Sequence, residues 1–410
     1  MREYNTLDDF NLQNKTVLLR VDFNLPLDKN TFEILDTTRI KLVLPTIKEL
    51  IEKNAKTVIL AHQGRMGSWD FISLENHAKA LEKLLGKKVE FVEDIYGENA
   101  KNAIEKLQPK DILMLDNVRK FKEETDKKPA EEHAQSDLIQ NLYPLADLYV
   151  NDAFAAAHRP QCTLIGFTEV LPSCAGRLLE KELTTLQQAI KNPEKPSIFL
   201  FGGAKFSDVI ITIKHLLDNK TASKILLTGL PANAFIKAQG YNLGEKNEKA
   251  LLEEGKPEQF EEIKKVYEQY KHEIMLPIDF AVDENNSRKE ITISDLPTQN
   301  NLFDIGEKTI QNYKQTLSNA KTIFLSGPCG VFENPLFIKG TQQIFSHIAE
   351  LDTISIVGGG HTVAAIEKLN LSKKISHIST GGGSLEKFMM GKPLPVVEAL
   401  KKAKKTDVLI

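Results

Sequence analysis

Residues 16–24 read TVLLRVDFN, an apolar run that ends abruptly in an aspartate and an asparagine. Its length and its aliphatic, β-branched content are typical of a buried β-strand. A helical pattern follows, because apolar residues recur at Ile40, Leu44 and Ile47 on one helical face. This strand, loop and helix predict an α/β fold, in which helices cover the strands of a mainly parallel sheet.

The same pattern recurs along the chain. The predicted strands are Thr16–Arg20, Thr57–Ala61, Asp111–Leu115, Asp147–Val150, Ser197–Phe201, Lys224–Thr228, Glu273–Leu276, Thr322–Leu325, Thr353–Val357 and Ser376–Ser379. Ten strands are too many for one such sheet, so we expect two sheets in two domains. The charged amphipathic segment Gly176–Asn192, which stops at Pro193, is expected to be a connecting helix. Residues 241–270 are predicted to form surface helices, and residues 283–297 a loop or hairpin.

The composition excludes several classes of protein. Of 410 residues, 41% are hydrophobic and 27% are charged, as in an ordinary globular protein, and the net charge of −3 argues against a nucleic-acid or membrane-surface protein. Three cysteines without a C-x-x-C pair argue against disulfides or a zinc site and favour a reducing compartment. No signal-peptide pattern or long apolar run is found, so we expect a cytoplasmic protein.

Arginines follow the strands of the first half. Only eight of the 53 cationic residues are arginine. Ligands of open α/β sheets bind beyond the carboxyl ends of the strands. The residues expected there are Asp22, Asn24, Arg39, His62, Arg65, Arg119, His158 and Arg159. Each arginine alone could pair with a surface acid, but four in matching positions predict a pocket for a small, multiply charged anion.

Glycines follow the strands of the second half. They are Gly202 and Gly203, Gly229 in LLTGLPAN, Gly327 and Gly330, Gly358 to Gly360, and Gly381 to Gly383, and Lys205 stands just after the first pair. Such turns can serve tight geometry alone, but five in one half indicate a nucleotide polyphosphate. The chain has no G-x-x-x-x-G-K-[ST] loop, no protein-kinase motif set and no G-x-S-x-G elbow.

Taken in order, these motifs resemble those of the phosphoglycerate kinase family. The resemblance covers nearly the whole chain. It rests on RVDFNLP, AHQGR, LDNVR, DAFAAAHR, FGGAKFSD, SGPCGVFE, GGGHT and STGGGS. The helix sequence LDTTRIKLVLPTIKEL and GGGHT are more similar to the archaeal-type branch.

The resemblance implies two Rossmann-like three-layer αβα domains joined by a helix. The implied N-terminal domain, residues 1–176 with the C-terminal tail 393–410, binds 3-phosphoglycerate. Residues 177–192 form the connecting helix, and residues 193–392 form the nucleotide-binding domain. The implied reaction is reversible phosphoryl transfer from 1,3-bisphosphoglycerate to ADP in glycolysis and gluconeogenesis. Mg²⁺ is expected to accompany the nucleotide, and we expect a monomer rather than a dimer.

The resemblance also assigns residues. It places 3-phosphoglycerate against Asp22, Phe23, Asn24, Arg39, His62, Gln63, Gly64, Arg65, Arg119 and Arg159. It places the nucleotide against Gly202, Gly203, Lys205, Glu333, Gly358, Gly359, Gly360, His361 and Thr362, with Glu333 on the ribose. Arg39 and Lys205 are the expected catalytic cations. The reacting oxygens are already anionic, so no general base is expected.

Three positions depart from the family pattern. His361 replaces the aspartate that helps to hold magnesium, Val209 replaces a second lysine, and LSGPCG, with Ser326 and Cys329, replaces WNGPPG. The metal ligands are therefore left open. Two other functions also remain open at this stage. One is a nucleotide-sugar glycosyltransferase with two Rossmann-like lobes, and the other is a nucleotide-binding regulator without turnover.

Overall fold

The computed structural model of the chain describes the backbone of residues 2–407 and the side chains up to residue 404. The chain divides into two compact units, Met1–Thr184 with Pro393–Ile410, and Thr185–Lys392. Residues 408–410 of the predicted C-terminal tail lie outside the described part. In the described part, no helix combines the length and the apolar character that a membrane span requires.

The first unit is built on a sheet of six parallel strands, in the order β3-β4-β2-β1-β5-β6. The strands are β1 (Thr16–Val21), β2 (Lys56–Leu60), β3 (Glu90–Val92), β4 (Ile112–Leu115), β5 (Leu148–Asp152) and β6 (Ser173–Ala175). The α-helices are α1 (Thr38–Glu52), α2 (Glu75–Leu85), α3 (Glu98–Lys106), α4 (Ala130–His133), α5 (Asp137–Leu142), α6 (Cys162–Ile165) and α7 (Arg177–Leu186).

Both faces of this sheet are covered by apolar side chains. On β1, Val17 and Leu19 point into the core beneath α1 and α2, while Leu18 points into the core on the opposite face. This alternation is the period of two that a strand imposes. It also places Arg20 on the same face as Leu18, and Arg20 is fully buried there.

The second unit repeats the architecture with the strand order β15-β14-β13-β7-β8-β9, all parallel. Its strands are β7 (Ser197–Phe201), β8 (Lys224–Leu227), β9 (Ile274–Met275), β10 (Asp279–Asp283), β11 (Arg288–Thr292), β12 (Leu302–Ile305), β13 (Thr322–Ser326), β14 (Ile354–Gly358) and β15 (His377–Ile378). Its α-helices are α8 (Ser207–Asp218), α9 (Gly229–Ala238), α10 (Glu245–Glu254), α11 (Pro257–Tyr270), α12 (Glu307–Leu317), α13 (Lys339–Glu350), α14 (Gly360–Lys368) and α15 (Gly382–Met389).

A third, antiparallel sheet of β11, β10 and β12 belongs to the second unit and was not predicted as a sheet. The hairpin expected within residues 283–297 is part of it, since β10 and β11 pair in register from Asp279↔Thr292 to Asp283↔Arg288. The prediction of ten strands was too low: the described residues form fifteen. The predicted class of two mainly parallel α/β sheets is confirmed.

The last helix, α16 (Pro395–Asp407), belongs to the first unit. It buries Val396 and Leu400 completely, and the N–H of Val396 donates to the carbonyl of Ala157 at 3.3 Å. The remaining short helices of three to five residues are Leu7–Asp9, Val118–Lys120, Lys122–Thr125, Tyr143–Leu145, Phe154–Ala156, Gly166–Glu169, Gln187–Lys191, Ile293–Asp295 and Ser372–Lys374.

Candidate active site

The strand order of the first sheet reverses between β1 and β5, which are neighbours in the sheet. In open α/β sheets, this switch point at the carboxyl edge is where ligands bind. Asp22 follows β1 directly, and its carboxylate lies 2.7 Å from a terminal nitrogen of Arg39, which stands in the first turn of α1. The predicted anion site therefore begins with a polar pair at the expected edge.

Asp22 is charged and surrounded by donors. Burial acts to raise the pKa of its carboxyl, but neighbouring His62 and Arg39 outweigh this effect and bring the pKa down to about 2. The backbone N–H of Asn24 also donates to Oδ1 of Asp22 at 3.0 Å. Asp22 is thus an anion at the carboxyl edge of the sheet, and cationic groups surround it.

The loops after β1 and β2 are tied together by side-chain amides. The amide of Gln63 bonds both the N–H and the carbonyl of Leu25, at 2.8 and 3.1 Å. Oδ1 of Asn24 accepts from the N–H of Gly64 at 2.9 Å. Phe23, which precedes Asn24 in the chain, is fully buried in the core. Phe23, Gln63 and Gly64 therefore shape the site, and Gln63 and Phe23 present no exposed surface to it.

The other predicted arginines lie in the same electrostatic cluster. Arg119, which is 6% exposed, donates from Nη1 to the carbonyl of Gly64, and its buried Nε has no hydrogen-bond partner among the described residues. Burial and the charge of Arg159 lower the pKa of Arg119 to about 10. Burial also lowers the pKa of Arg159, which is close enough to Arg65 and Arg39 to feel their charges. Such crowding of like charges favours a bound anion.

His62 is held by a buried arginine that sequence reasoning did not single out. A terminal nitrogen of Arg20 lies 3.2 Å from Nδ1 of His62, and Nε of Arg20 donates to the hydroxyl of Thr163 at 2.8 Å. The buried carboxylate of Glu124 lies 3.7 Å from Arg20 and accepts from Thr163 at 2.7 and 2.8 Å. Burial keeps the pKa of His62 well below its usual value. The available signal was a lone arginine inside an apolar strand, since a buried charge needs partners.

In the second unit, the strand order reverses between β7 and β13. The glycine turns that follow these two strands bond to each other: the N–H of Gly202 donates to the carbonyl of Ser326 at 2.8 Å, and the N–H of Gly203 donates to that of Pro328 at 2.8 Å. Gly327 has φ of +93°, and a Cβ there would lie 2.1 Å from the carbonyl oxygen of Gly202. Glycine is therefore required for the close approach of the two turns.

The GGGHT turn joins the same edge. The hydroxyl of Thr362 accepts from the N–H of Gly327 at 2.7 Å, which links the turn after β14 to the turn after β13. Gly359 has φ of +88°, and α14 begins at Gly360. Gly358 and Thr362 are buried, whereas Gly360 and His361 are exposed. Backbone N–H groups at such a helix start are suited to phosphate.

Lys205 and Glu333 are exposed at this end of the second unit. Lys205 stands two residues before α8 begins. Its charge also acts on Glu386 of α15. Partial burial and Asp208 raise the pKa of Glu386, while Lys205 acts to lower it. Val209, in the first turn of α8, is half-buried and adds no charge. Lys205 is thus the cation that the structure places beside the first glycine turn.

The side chains described here do not form a metal site of their own. Among them, no group of three or more His, Cys, Asp or Glu is arranged to hold a metal ion. His361 supplies a nitrogen, whereas Mg²⁺ prefers oxygen ligands. The three cysteines are buried, and each is a free thiol.

Comparison with known proteins agrees with this geometry. The family model described as phosphoglycerate kinase matches residues 7–392. The phosphoglycerate kinase of Methanobacterium bryantii is 45% identical over 399 residues, which cover 97% of each chain. That of Methanococcus maripaludis is 45% identical over 407 residues, covering 97% of this chain and 98% of the relative.

Solved structures match over the same length. The crystal structure of phosphoglycerate kinase from Pyrococcus horikoshii OT3 gives a TM-score of 0.88 at 39% identity and covers 98% of this chain and 99% of its own. The structure of the enzyme from Coxiella burnetii gives a TM-score of 0.85 at 32% identity, covering 97% and 99%. Sequence and fold therefore point to one family.

Proposed function

The chain belongs to the phosphoglycerate kinase family, and we propose that its two units divide the reaction between them, the first binding 3-phosphoglycerate and the second binding the nucleotide. The reaction is the reversible transfer of a phosphoryl group from 1,3-bisphosphoglycerate to ADP, which gives 3-phosphoglycerate and ATP in glycolysis and gluconeogenesis. The enzyme is a kinase with a carboxyl group as acceptor. Its archaeal relatives confirm the resemblance to the archaeal-type branch of the family.

The observation that carries the first assignment is the convergence of arginines around Asp22. Arg39, Arg119 and Arg159 each interact electrostatically with this one carboxylate. A guanidinium fork can bind a carboxylate or a phosphate through two parallel hydrogen bonds. The substrate carries both groups, so the cluster fits a small molecule with an anion at each end. Arg65, whose charge acts on Arg159, completes the set.

His62 serves this pocket as a neutral donor. A guanidinium can only donate, so Nδ1 of His62, which faces Arg20 at 3.2 Å, must accept. The ring proton of the neutral imidazole then resides on Nε2. The pKa of His62 lies well below 6.5 because burial and the surrounding arginines oppose a further charge. His62 therefore provides an N–H for an anion without itself being charged, and it does not act as a general base.

The second unit offers backbone N–H groups in place of side-chain forks. The carboxyl edge of its sheet carries the starts of α8, α9, α14 and α15, and a helix start bears a partial positive charge. We assign the nucleotide phosphates to the turns at Gly202–Gly203 and Gly358–Thr362, with Lys205 beside them. Glu333, exposed on the loop after β13, is assigned to the ribose.

Catalysis in this proposal is positioning and charge stabilisation. The transferred phosphoryl group spreads negative charge over its oxygens, and cations that meet this charge lower the barrier. Arg39 is suited to this role because its side chain is 37% exposed while its guanidinium is anchored by Asp22. Lys205 is suited because it is exposed beside the first glycine turn.

Mg²⁺ is proposed to enter as part of the Mg-nucleotide substrate. The described side chains form no three-ligand cluster, so nucleotide oxygens and water would supply most of its ligands. His361, at the start of α14, is suited to contact phosphate rather than the metal. We also propose that the protein works in the cytoplasm, where three buried, reduced cysteines remain stable. A monomer remains our prediction.

The deciding experiment is a coupled assay in which ATP formation from 1,3-bisphosphoglycerate and ADP is followed with the purified protein. We expect turnover that requires both substrates and Mg²⁺. Binding of ADP without turnover would instead indicate a nucleotide-binding regulator. Variants with substitutions within residues 1–184, such as Arg159→Ala, would test the assignment of substrates to units. Their binding of 3-phosphoglycerate would be measured by calorimetric titration.

A further inference from the structure

The antiparallel sheet of β10, β11 and β12 contains a buried ion pair that belongs to neither proposed binding set. Nη1 of Arg288 on β11 lies 2.8 Å from Oδ2 of Asp304 on β12, and the two side chains are 14% and 0% exposed. Arg288 also donates from Nη2 to the carbonyl of Ile305 at 2.9 Å and from Nη1 to that of Leu336 at 3.2 Å. One planar fork thus serves three acceptors, a geometry that the point charge of a lysine does not reproduce.

This pair fastens the segment between β13 and α13, residues 327–338. Oδ2 of Asp304 accepts from the N–H of Gly340 at 2.8 Å, in the first turn of α13. A Cβ on Gly340 would lie 2.2 Å from Oδ1 of Asp304, so only glycine permits this approach. Arg288 holds the same segment from the other side, at the carbonyl of Leu336. The end of the segment is therefore anchored on the antiparallel sheet.

The beginning of the segment is anchored on the same sheet. The N–H of Val331 donates to the carbonyl of Phe303 on β12 at 2.8 Å. Lys368 of α14 donates to the carbonyl of Phe332 at 3.0 Å. Glu333 follows immediately, with its side chain exposed. The backbone is consequently fixed on both sides of Glu333, while the carboxylate itself faces solvent.

We propose that the Arg288–Asp304 pair is a positioning device for the nucleotide, which holds the 327–338 segment so that Glu333 can meet the ribose hydroxyls. This inference rests on the proposed function, specifically on the assignment of Glu333. Arg288 and Asp304 are positioning residues, because they act through the segment and contact neither substrate. The antiparallel sheet then has a role in nucleotide selection as well as in packing.

The test uses the full-length enzyme with Arg288→Met, Arg288→Lys and Asp304→Asn. We expect each change to raise the KM for ADP by about tenfold and to leave the KM for 1,3-bisphosphoglycerate within about twofold. The wild-type enzyme should discriminate against 2′-deoxy-ADP and 3′-deoxy-ADP. That discrimination should shrink in all three variants, whereas a general loss of stability would not alter it. Arg288→Lys keeps the charge and guards against a variant that fails to fold.

Two controls are matched to these variants. Lys289→Met removes a cation from the next position of β11, where Lys289 pairs with Glu284 at 2.7 Å on the surface, and it should leave the KM for ADP unchanged. Ile310→Val loosens the buried core beneath α12 and should lower stability without changing the ribose preference. Circular dichroism of every variant would check that it is folded.

Glu333→Ala completes the design. Alone it should reproduce the loss of ribose discrimination, and adding Arg288→Lys to it should have little further effect, because both act on one contact. Equal rises in both KM values, or intact discrimination in Arg288→Lys, would overturn the proposal. An unchanged KM for ADP in Glu333→Ala would overturn it as well, while ATP formation by the wild-type enzyme would still stand.

Discussion

Arg39 and Lys205 are the two cations that we propose stabilise the charge of the transferred phosphoryl group. Replacing either with alanine should lower kcat by roughly 10³-fold, by analogy with the arginine that stabilises the transition state in other phosphoryl transfers. Steady-state kinetics with both substrates saturating would measure the loss. Lys41→Ala, which removes an exposed cation two residues from Arg39 on α1, is the control and should keep wild-type turnover. Activity of the Arg39 or Lys205 variant within about tenfold of wild type would reject the catalytic role.

Arg119 and Arg159 should act in binding more than in turnover. Their like charges are crowded, and a bound anion relieves this repulsion in the ground state. Arg159→Ala and Arg119→Ala should therefore raise the KM for 3-phosphoglycerate by about tenfold or more, with a smaller loss in kcat. The ATP-forming assay run in reverse gives both constants. A defect confined to kcat would contradict this assignment.

At the level of residues, the sequence predicts site residues where polar groups follow the end of a strand. It does not reveal them where they lie inside a strand. Asp22 and Arg39 stand beyond β1 and were recognised, and the structure pairs them at 2.7 Å. Arg20 stands within β1, where the sequence pattern predicts a strand and no site residue. Its partners Glu124 and Thr163 are more than 100 positions away, so no local pattern joins them. The nucleotide assignments remain predictions, because their support comes from turns rather than from bound groups.

At the start of α7, a buried carboxyl group is expected to make the stability of the protein depend on pH. Asp152, fully buried at the end of β5, accepts from the hydroxyl of Thr46 at 2.6 Å and from the N–H of Leu179 at 2.9 Å. Burial nevertheless raises the pKa of this carboxyl to about 7. The folded state therefore holds the proton more tightly than the unfolded state, and the stability from this group is lost as pH rises from about 4 through about 7.

Asp152→Asn should flatten that dependence, because an amide keeps an acceptor for Leu179 and does not ionise. The melting temperature of the wild-type protein should fall more between pH 5 and pH 8 than that of the variant. The difference corresponds to on the order of 1–4 kcal/mol in the free energy of unfolding. Asp147→Asn, at an exposed carboxylate that pairs with Lys15, should keep the wild-type slope. Parallel slopes for wild type and Asp152→Asn would contradict the prediction.

The strands that the sequence did not predict were missed for different physical reasons. β3 and β6 have three residues each, too few for a period to be visible. β11 reads RKEIT and is partly exposed at the edge of its sheet, so it lacks the apolar run of the parallel strands. β12 pairs with β10, although β11 lies between them in the sequence, so no local sequence pattern indicates the pairing. Long parallel strands, by contrast, are buried on both faces and were visible as apolar runs.

At the scale of the molecule, the first unit depends on the last helix of the chain. Leu400 of α16 is fully buried, so Leu400→Ala should reduce the free energy of unfolding by about 2–5 kcal/mol. Lys401→Ala on the same helix, which breaks a largely exposed pair with Glu3, should cost less than about 1 kcal/mol. Urea denaturation of both variants measures the difference. Equal effects would show that α16 is held by its charges rather than by its apolar face.

The composite make-up of the first unit has a consequence for synthesis on the ribosome. Residues 185–392 are contiguous, so the second unit can close as soon as they have emerged from the exit tunnel. The first unit, although its larger part is translated earlier, lacks α16 until residues 395–407 have been made and have emerged in turn. The half of the enzyme that is made first is thus completed last, and a truncated message would yield a finished second unit beside an unfinished first one.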